Sequence, residues 1–318
     1  MAERSTAVVT GAAGFVGSHL CRLLLDEGYE VVGVDSFTDY YARDEKEDHL
    51  VGLRGERDFW LVDDDLLTMR LEPLIDGAKY VFHLAGQPGV RASWGPDFAT
   101  YVRHNVLVTQ HLLEVCRNFP ISKLVYASSS SIYGNAESFP TSEQVTPRPV
   151  SPYGVTKLAG EHLCDVYRTN FDVPTASLRL FTVYGPGQRP DMAFARLVRA
   201  ARLGQPFELL GDGRQSRDFT FVGDVVRAMV DAAKSPWCGV ANIGGGSRVT
   251  MNEVIDLVRE LAGPLDVVHR GTAVGDVRHT AADCTVARAG FGYQPGTSLH
   301  EGLALMVAAA AHREAVVA

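Results

Sequence analysis

Residues 7–10, AVVT, form a short apolar run that breaks at once into the glycine-rich GAAGFVG. The chain then resumes as an apolar-periodic stretch, SHLCRLLLDEG, and a second apolar run, EVVGVD, that stops at Asp35. Strand, glycine turn, helix, strand and acid in that order leave few architectures open, because parallel strands need a crossover between them. Each glycine has its own duty: Gly11 permits the tight turn, Gly14 lets backbone approach a pyrophosphate, and Gly17 lets the helix pack closely on the strand. Phe15 and Val16 open the helix, whose first N–H groups suit phosphate oxygens. Asp35, eighteen residues after Gly17, is placed to accept both ribose hydroxyls of NAD and to repel the extra phosphate of NADP, and no Arg follows it in SFTDYY. The pattern predicts a dinucleotide site for NAD.

The alternation continues. FWLV (59–62), YVFHLA (80–85) and KLVYAS (123–128) read as strands, and residues 98–118 as one long helix, which together predict an α/β fold with a doubly wound parallel sheet. Ligands of such sheets sit outside the strand C-termini. Asp65 and Leu66, after the third strand, are placed to read adenine with a carboxylate and a backbone N–H, or to form a solvated acidic turn in VDDDLL. Ala85 and Gly86 end the fourth strand with residues small enough for a cofactor to approach. From about residue 179 the alternation loosens into GPGQRP, a segment suited to capping a sugar site, and ANIGGG (241–246) reads as one more strand followed by a turn. We expect an NAD-binding Rossmann domain over 1–178, rejoined at about 238–246, and a smaller, discontinuous substrate domain within 179–318.

A chain of 318 residues with 46% hydrophobic and 21% charged residues has the composition of a globular protein with a large core. Its formal charge of −8 argues against nucleic acid or an anionic membrane as partner and favours a small molecule. Five scattered cysteines and ten histidines without a paired spacing predict neither disulfides nor a metal, and His83 reads as a core residue. MAERST leaves no room for a signal peptide and LALMVAAAA is too short to span a bilayer, so the cytoplasm is expected.

SPYGVTK places Tyr153 and Lys157 four residues apart at the start of a helix, on one face. A phenol ionises near pH ~10; an ammonium one turn away favours the phenolate and suits it to work as a general base. The same spacing also occurs as a half-buried aromatic beside a solvated charge. Before it, SSSSIYG (128–134) puts four hydroxyls at a strand end, where each needs a partner: either the oxygen that Tyr153 deprotonates or the neighbours of a polar turn.

TGAAGFVG, HLAGQPGVRAS, YASSSSIYG, SPYGVTKLAGE, LRLFTVYGPGQRPDM, GRQSRDFTFVGDVV and GDVRHTAAD together resemble the extended short-chain dehydrogenase/reductase family, in its branch of NAD-dependent nucleotide-sugar epimerases and dehydratases, over nearly the whole chain. The resemblance implies Ser129, Tyr153 and Lys157 as the catalytic Ser, Tyr and Lys, with Lys157 also holding the nicotinamide ribose and Asn105 as a structural Asn. The family's dehydratases carry Asp-Glu directly after the catalytic Ser/Thr and its decarboxylases a Glu two residues after it. Here Ser130 and Ser131 stand there, which leaves epimerisation at C4 as the simplest chemistry.

DYYARDEKEDHL, QPGVRAS and FTVYGPGQRPDM are similar to UDP-glucuronate 4-epimerases in particular, and Thr182 stands where UDP-glucose 4-epimerases have Asn. The implied substrate is UDP-glucuronic acid, its carboxylate received by Ser128, Ser129, Ser130 and Thr182 with Arg189 nearby, and with Arg91 on the same side. Arg217 would bind the diphosphate and Asp276 the uridine. An ion pair between Arg217 and Asp218 explains the former equally, and Phe207 suits either uracil stacking or the core. The sequence departs from the family at Val108 (Gly), at Gly86 (Ala) and in TAVGDV, which lacks a Pro. Relatives commonly form homodimers through the two helices that include the Tyr-bearing one, with Leu112, Val115 and Leu163 as suitable apolar positions. Rival readings are a UDP-glucose 4-epimerase, a UDP-glucuronate decarboxylase working without the Glu, and a non-catalytic NAD-binding regulator.

Overall fold

The computed structural model describes residues 4–271 and 277–317. In chain order the strands are β1 (Thr6–Thr10), β2 (Glu30–Asp35), β3 (Phe59–Asp63), β4 (Ala78–His83), β5 (Lys123–Ser129), β6 (Thr175–Leu180), β7 (Thr182–Tyr184), β8 (Phe207–Leu210), β9 (Ser216–Phe221), β10 (Gly239–Ile243), β11 (Arg248–Thr250) and β12 (Val267–Arg270). Seven of them form one parallel sheet in the order β10-β6-β5-β4-β1-β2-β3. The fold is α/β. The order reverses between β1 and β4, and a crevice opens outside their C-terminal ends.

The central strands are apolar throughout because both faces are covered. Ala7 and Val9 of β1 point into one cluster with Phe82, Val125 and the helices Phe15–Asp26 and Val222–Lys234. Val8 between them points the other way, to Val81, Leu124, Tyr126 and Cys164 of the helix Pro152–Phe171. A third cluster, with Tyr184, Phe194, Phe207, Phe219 and Val254, fills the C-terminal part beneath the sheets β11-β9-β7 and β12-β8.

The expected helix over 98–118 is broken in pitch. Phe98–Tyr101 and Val108–Cys116 are α-helical, but Val102–Leu107 between them takes the wider π form. Asn105 lies in that segment and is 1% exposed. Its side chain is drawn inward by Gln87, while Thr109 Oγ1 donates to its carbonyl at 2.7 Å. Single π turns are common where a helix must present a polar side chain to a site. In its second half Leu112 and Val115 face the core, and Leu163 is partly buried against the same cluster. That corrects Leu112 and Val115 as expected dimer positions.

Candidate active site

The dinucleotide cleft starts at the β1 turn. Gly11 has a positive φ of 73°, and a Cβ there would lie 2.9 Å from the Ala85 nitrogen. A Cβ on Gly17 would lie 2.1 Å from the Gly11 carbonyl oxygen, which backbone cannot relieve. The helix behind the turn is capped by Gly14 without any side-chain bond, so its first N–H groups stay available to an anion. Gly11, Gly14, Phe15, Val16 and Gly17 all line one cavity with Asp35, Asp65, Leu66, Ala85 and Gly86. A glycine cradle that side chains would fill, with a helix N-terminus above it and a carboxylate at the end of β2, fits NAD.

Asp35 accepts hydrogen bonds from Phe37 N (2.8 Å) and Ala13 N (3.1 Å), and Lys46 Nζ stands 3.7 Å from it. Sequence reasoning missed Lys46, the one buried cation of the acidic helix RDEKEDHL, which also donates to the Thr38 carbonyl at 2.8 Å. The Lys46 ammonium thus partly compensates the Asp35 charge. Asp65 reaches the cavity with its carboxylate engaged by Arg103 Nη2 (2.8 Å) and Leu67 N (2.9 Å). Burial works against its ionisation, but the Leu67 and Arg103 bonds win and hold its pKa below the usual carboxylate value. Val108, in place of the family's Gly, is buried at the same end. Gly86, in place of Ala, would carry a Cβ only 2.8 Å from Asn105 Oδ1.

His83 is a core residue. Thr109 Oγ1 donates its hydrogen to the Asn105 carbonyl and so accepts from His83 Nε2–H at 2.9 Å, which leaves His83 Nδ1 to accept from Thr10 Oγ1 at 2.8 Å while Thr10 itself accepts from Ala85 N. Burial, with Lys157 adding, pushes this imidazole down to about 3, and it stays neutral.

Tyr153 follows from the local sequence. Ser151 caps the helix by accepting from Gly154 N at 3.1 Å, and Pro152 takes the first helical position, where its missing N–H costs nothing. Asn105 ties this turn to the loop after β4: Oδ1 accepts from Gln87 N (2.6 Å), Nδ2 donates to Gln87 O (3.1 Å) and Thr156 Oγ1 (2.9 Å), and Thr156 in turn donates to Tyr153 O (2.8 Å).

The electrostatics differ from the expected relay. Burial raises the Tyr153 phenol above its ordinary pKa, and a Ser129 hydrogen bond, then the charge of Arg189, pull it back. Lys157 instead lays its ammonium 4.6 Å from the Tyr126 ring centroid and is lowered to about 8, chiefly by burial. Sharing a helix face does not bring the two polar ends together, because the long Lys stem follows an aromatic face.

A second cavity, about 690 Å³, adjoins the first, with Tyr153, Lys157, Phe15 and Arg189 on its walls. Ser129 and Ser130 line it together with Thr182 on β7. Ser128 lines it as well, but its hydroxyl donates to Glu161 Oε2 at 2.9 Å, in a buried network behind the site.

Arg189 forms a bidentate pair with Asp191 (3.0 Å for both bonds) and lies 5.6 Å from the Tyr40 ring centroid; neither partner was read from the sequence. Arg91 lines the mouth, exposed. Arg217 lines the cavity and donates to the Ser216 and Arg278 carbonyls at 3.0 Å. It does not pair with Asp218, which points the opposite way from β9, is 1% exposed, accepts from Gly245 N and Ala282 N, and is pushed up to about 6 by burial. Phe207 takes both of its alternatives, packing in the third cluster while one side lines the cavity beneath Arg196. Asp276 lies outside the described residues. Among the described residues no cluster of three His, Cys, Asp or Glu could hold a metal, and no helix is long and apolar enough to cross a membrane.

Comparison with known proteins agrees with this geometry. The chain is 43% identical to the "Uncharacterized UDP-glucose epimerase YtcB" of Bacillus subtilis (strain 168), over 93% of this chain and 95% of that one. It is 34% identical to the UDP-glucuronate 4-epimerase of Thermodesulfobacterium geofontis (strain OPF15), over 93% of each. The crystal structure of UDP-glucuronic acid 4-epimerase from Bacillus cereus, in complex with UDP-glucuronic acid and NAD, superposes with a TM-score of 0.94 at 40% identity, covering 97% of this chain and 99% of that one. NAD is the cofactor. With the family model matched over residues 7–244, this chain belongs to the NAD dependent epimerase/dehydratase family.

Proposed function

We propose that the protein epimerises a UDP-sugar at C4 through a 4-keto intermediate, with UDP-glucuronic acid and UDP-galacturonic acid as its preferred pair. The observation that carries this reading is the wall of the larger cavity: Tyr153 and Ser129 line it where it shares Phe15, Gly86 and Arg189 with the dinucleotide cleft, and Ser130 and Ser131 follow where other chemistries need a carboxylate. Among the described residues the two acids that line the sugar cavity, Asp191 and Glu208, are each paired with an arginine, Arg189 and Arg270. Removal of the C5 proton has no evident agent, whereas removal of the C4 hydroxyl proton has one.

NAD, when bound, supplies reversible two-electron oxidation at C4. Tyr153 Oη takes the C4 hydroxyl proton and returns one to the same oxygen once the sugar has presented its other face. Ser129 donates to that oxygen, and Lys157 holds the ribose beside it. A 4-keto uronate is a β-keto acid, and loses carbon dioxide when its C5–carboxylate bond aligns with the carbonyl π system. Thr182, Ser130 and Arg189 hold the carboxylate out of that alignment. The Asp191 pair occupies Nε and Nη2 of Arg189, two of the three nitrogens of the fork. The diphosphate lies toward Arg217, and the uracil toward Phe207.

Two observations favour a second reading, the neutral pair UDP-glucose and UDP-galactose. Arg189 already has its counter-ion in Asp191, and the 43% identical relative is called a UDP-glucose epimerase. NMR of the products formed from UDP-glucuronic acid without added cofactor separates the two. UDP-galacturonic acid is expected; turnover of UDP-glucose alone would replace this reading with the second, and a UDP-pentose would show decarboxylation. Thr182→Ala is expected to lower kcat/KM for the uronate by about 10-fold or more, since a hydrogen bond to a charged group is worth ~1.5–3 kcal/mol. UDP-glucose turnover should change far less.

The protein acts as a homodimer in this proposal. Leu107, Val155, Val166 and Phe171, each close to half exposed, lie on the two helical segments Val102–Cys116 and Pro152–Phe171, and Val155 and Val166 share a stripe three turns apart. Sedimentation should give a dimer for the wild type and a monomer for Val166→Glu. A wild-type monomer would end the assignment.

A further inference from the structure

Two histidines outside the sugar cavity meet the segment 185–191 that carries Arg189. His19, one turn into the helix Phe15–Asp26, packs edge-on against Phe15 at 5.8 Å between ring centroids, and its Nε2 lies 2.9 Å from the Pro186 carbonyl. A carbonyl only accepts, so His19 donates. His49 donates from Nδ1 to the Ala13 carbonyl, inside the glycine turn, at 2.9 Å. The other edge of its ring lies under Gly187, where a Cβ would stand 3.2 Å from Nε2. On its far side the segment is held by Gln188, whose Nε2 donates to Val183 O (3.0 Å) and whose Oε1 accepts from Ala195 N (2.9 Å). Two residues beyond Gly187, Arg189 borders both cavities.

These contacts make one connected patch of the glycine turn, the start of its helix and a strap 167 residues away in sequence from His19. We propose that His19, seconded by His49, is a positioning residue that fastens the strap 185–191 across the dinucleotide cleft, and so sets both how slowly NAD leaves and where Arg189 stands. An enzyme that regenerates its cofactor within each turnover gains nothing by releasing it. The cleft must open for NAD to depart, and opening past the strap breaks the His19–Pro186 bond while leaving the sheet intact.

The test uses the purified holoenzyme and reads the exchange of bound NAD against excess isotopically labelled NAD, with no sugar present. It is therefore independent of which UDP-sugar is the substrate. His19→Ala should exchange about 3- to 10-fold faster, the span of one hydrogen bond. His19→Gln, whose amide can still donate to Pro186 O, should return to within about 2-fold of the wild type. Hydrogen exchange of the amides of residues 185–192 should accelerate in the first variant and not in the second. If His19→Ala does not fold, His49→Ala takes its place with the same expected acceleration. Wild-type exchange in a folded His19→Ala protein, or equal leakiness in His19→Gln, overturns the proposal.

Discussion

Tyr153→Phe lowers kcat by about 10²- to 10⁴-fold, the range that one positioned general base contributes, while NAD content and melting temperature stay near those of the wild type. The variant deletes a single oxygen. The ring keeps its edge contact with Tyr101, 6.3 Å between centroids, and Asn105 and Thr156 continue to hold the backbone of the turn. The loss is therefore one of chemistry. A variant as active as the wild type would remove Tyr153 from the mechanism and restore the case for a non-catalytic NAD-binding protein.

The same residue gives a pH prediction with a definite sign. The base must lose its proton to act, and burial of Tyr153 raises its pKa, so the fold by itself opposes the active form at neutral pH. The Ser129 hydrogen bond is the largest opposing influence, with Arg189 next. Ser129→Ala should move the acidic limb of the kcat/KM profile to higher pH, so that activity lost at pH 7 is partly recovered on raising the pH. A profile reduced in height with its limb unmoved would show that Ser129 only binds the sugar and does not tune Tyr153.

The parts of the site that were legible in the sequence are those where backbone geometry dictates residue type. Gly17 must be glycine because a carbonyl oxygen occupies the place of its Cβ, and Asp35 ends its strand at the wall of the cavity. Tyr153 was legible from spacing and a helix start. What was hidden depends on partners brought from afar. Lys46 compensates Asp35 only because a later helix folds back, and Asp191 claims Arg189 through side-chain directions that no spacing encodes. The π segment Val102–Leu107 was invisible because no residue pattern forces it, and the burial of Leu112 and Val115 depends on the sheet the helix packs against. The engagement of the Ser128 hydroxyl by Glu161 was hidden for the same reason.

Ser128 leads to the second large effect. Behind the catalytic wall, Arg179 of β6 meets Glu161 of the Tyr-bearing helix with Nη2–Oε1 at 2.5 Å and Nε–Oε2 at 3.0 Å, and both side chains are about 5% exposed. Ser128 donates to the same carboxylate, and Arg179 Nη1 reaches Tyr133 Oη at 2.7 Å, which itself donates to Asn242 of β10 at 2.7 Å. β5, β6, β10 and the helix one turn beyond Lys157 are thereby joined through one ion pair. A buried pair of this kind adds little net stability when intact, because desolvation offsets the attraction; losing one partner is costly, because the other charge stays buried without compensation. Arg179→Met should therefore cost ~3–5 kcal/mol, read as a lower urea midpoint at unchanged slope. Arg179→Met combined with Glu161→Gln should recover more than half of that, since the stranded charge is gone and the amide can still accept from Ser128. Were Arg179→Met to cost under ~1 kcal/mol, or the double variant to be no better than the single one, the energetic role of the pair would be refuted. The coupling should also reach catalysis: without the pair, the helix carrying Tyr153 and Lys157 loses its only charged anchor to β6 among the described residues, so kcat should fall in the single and the double variant alike.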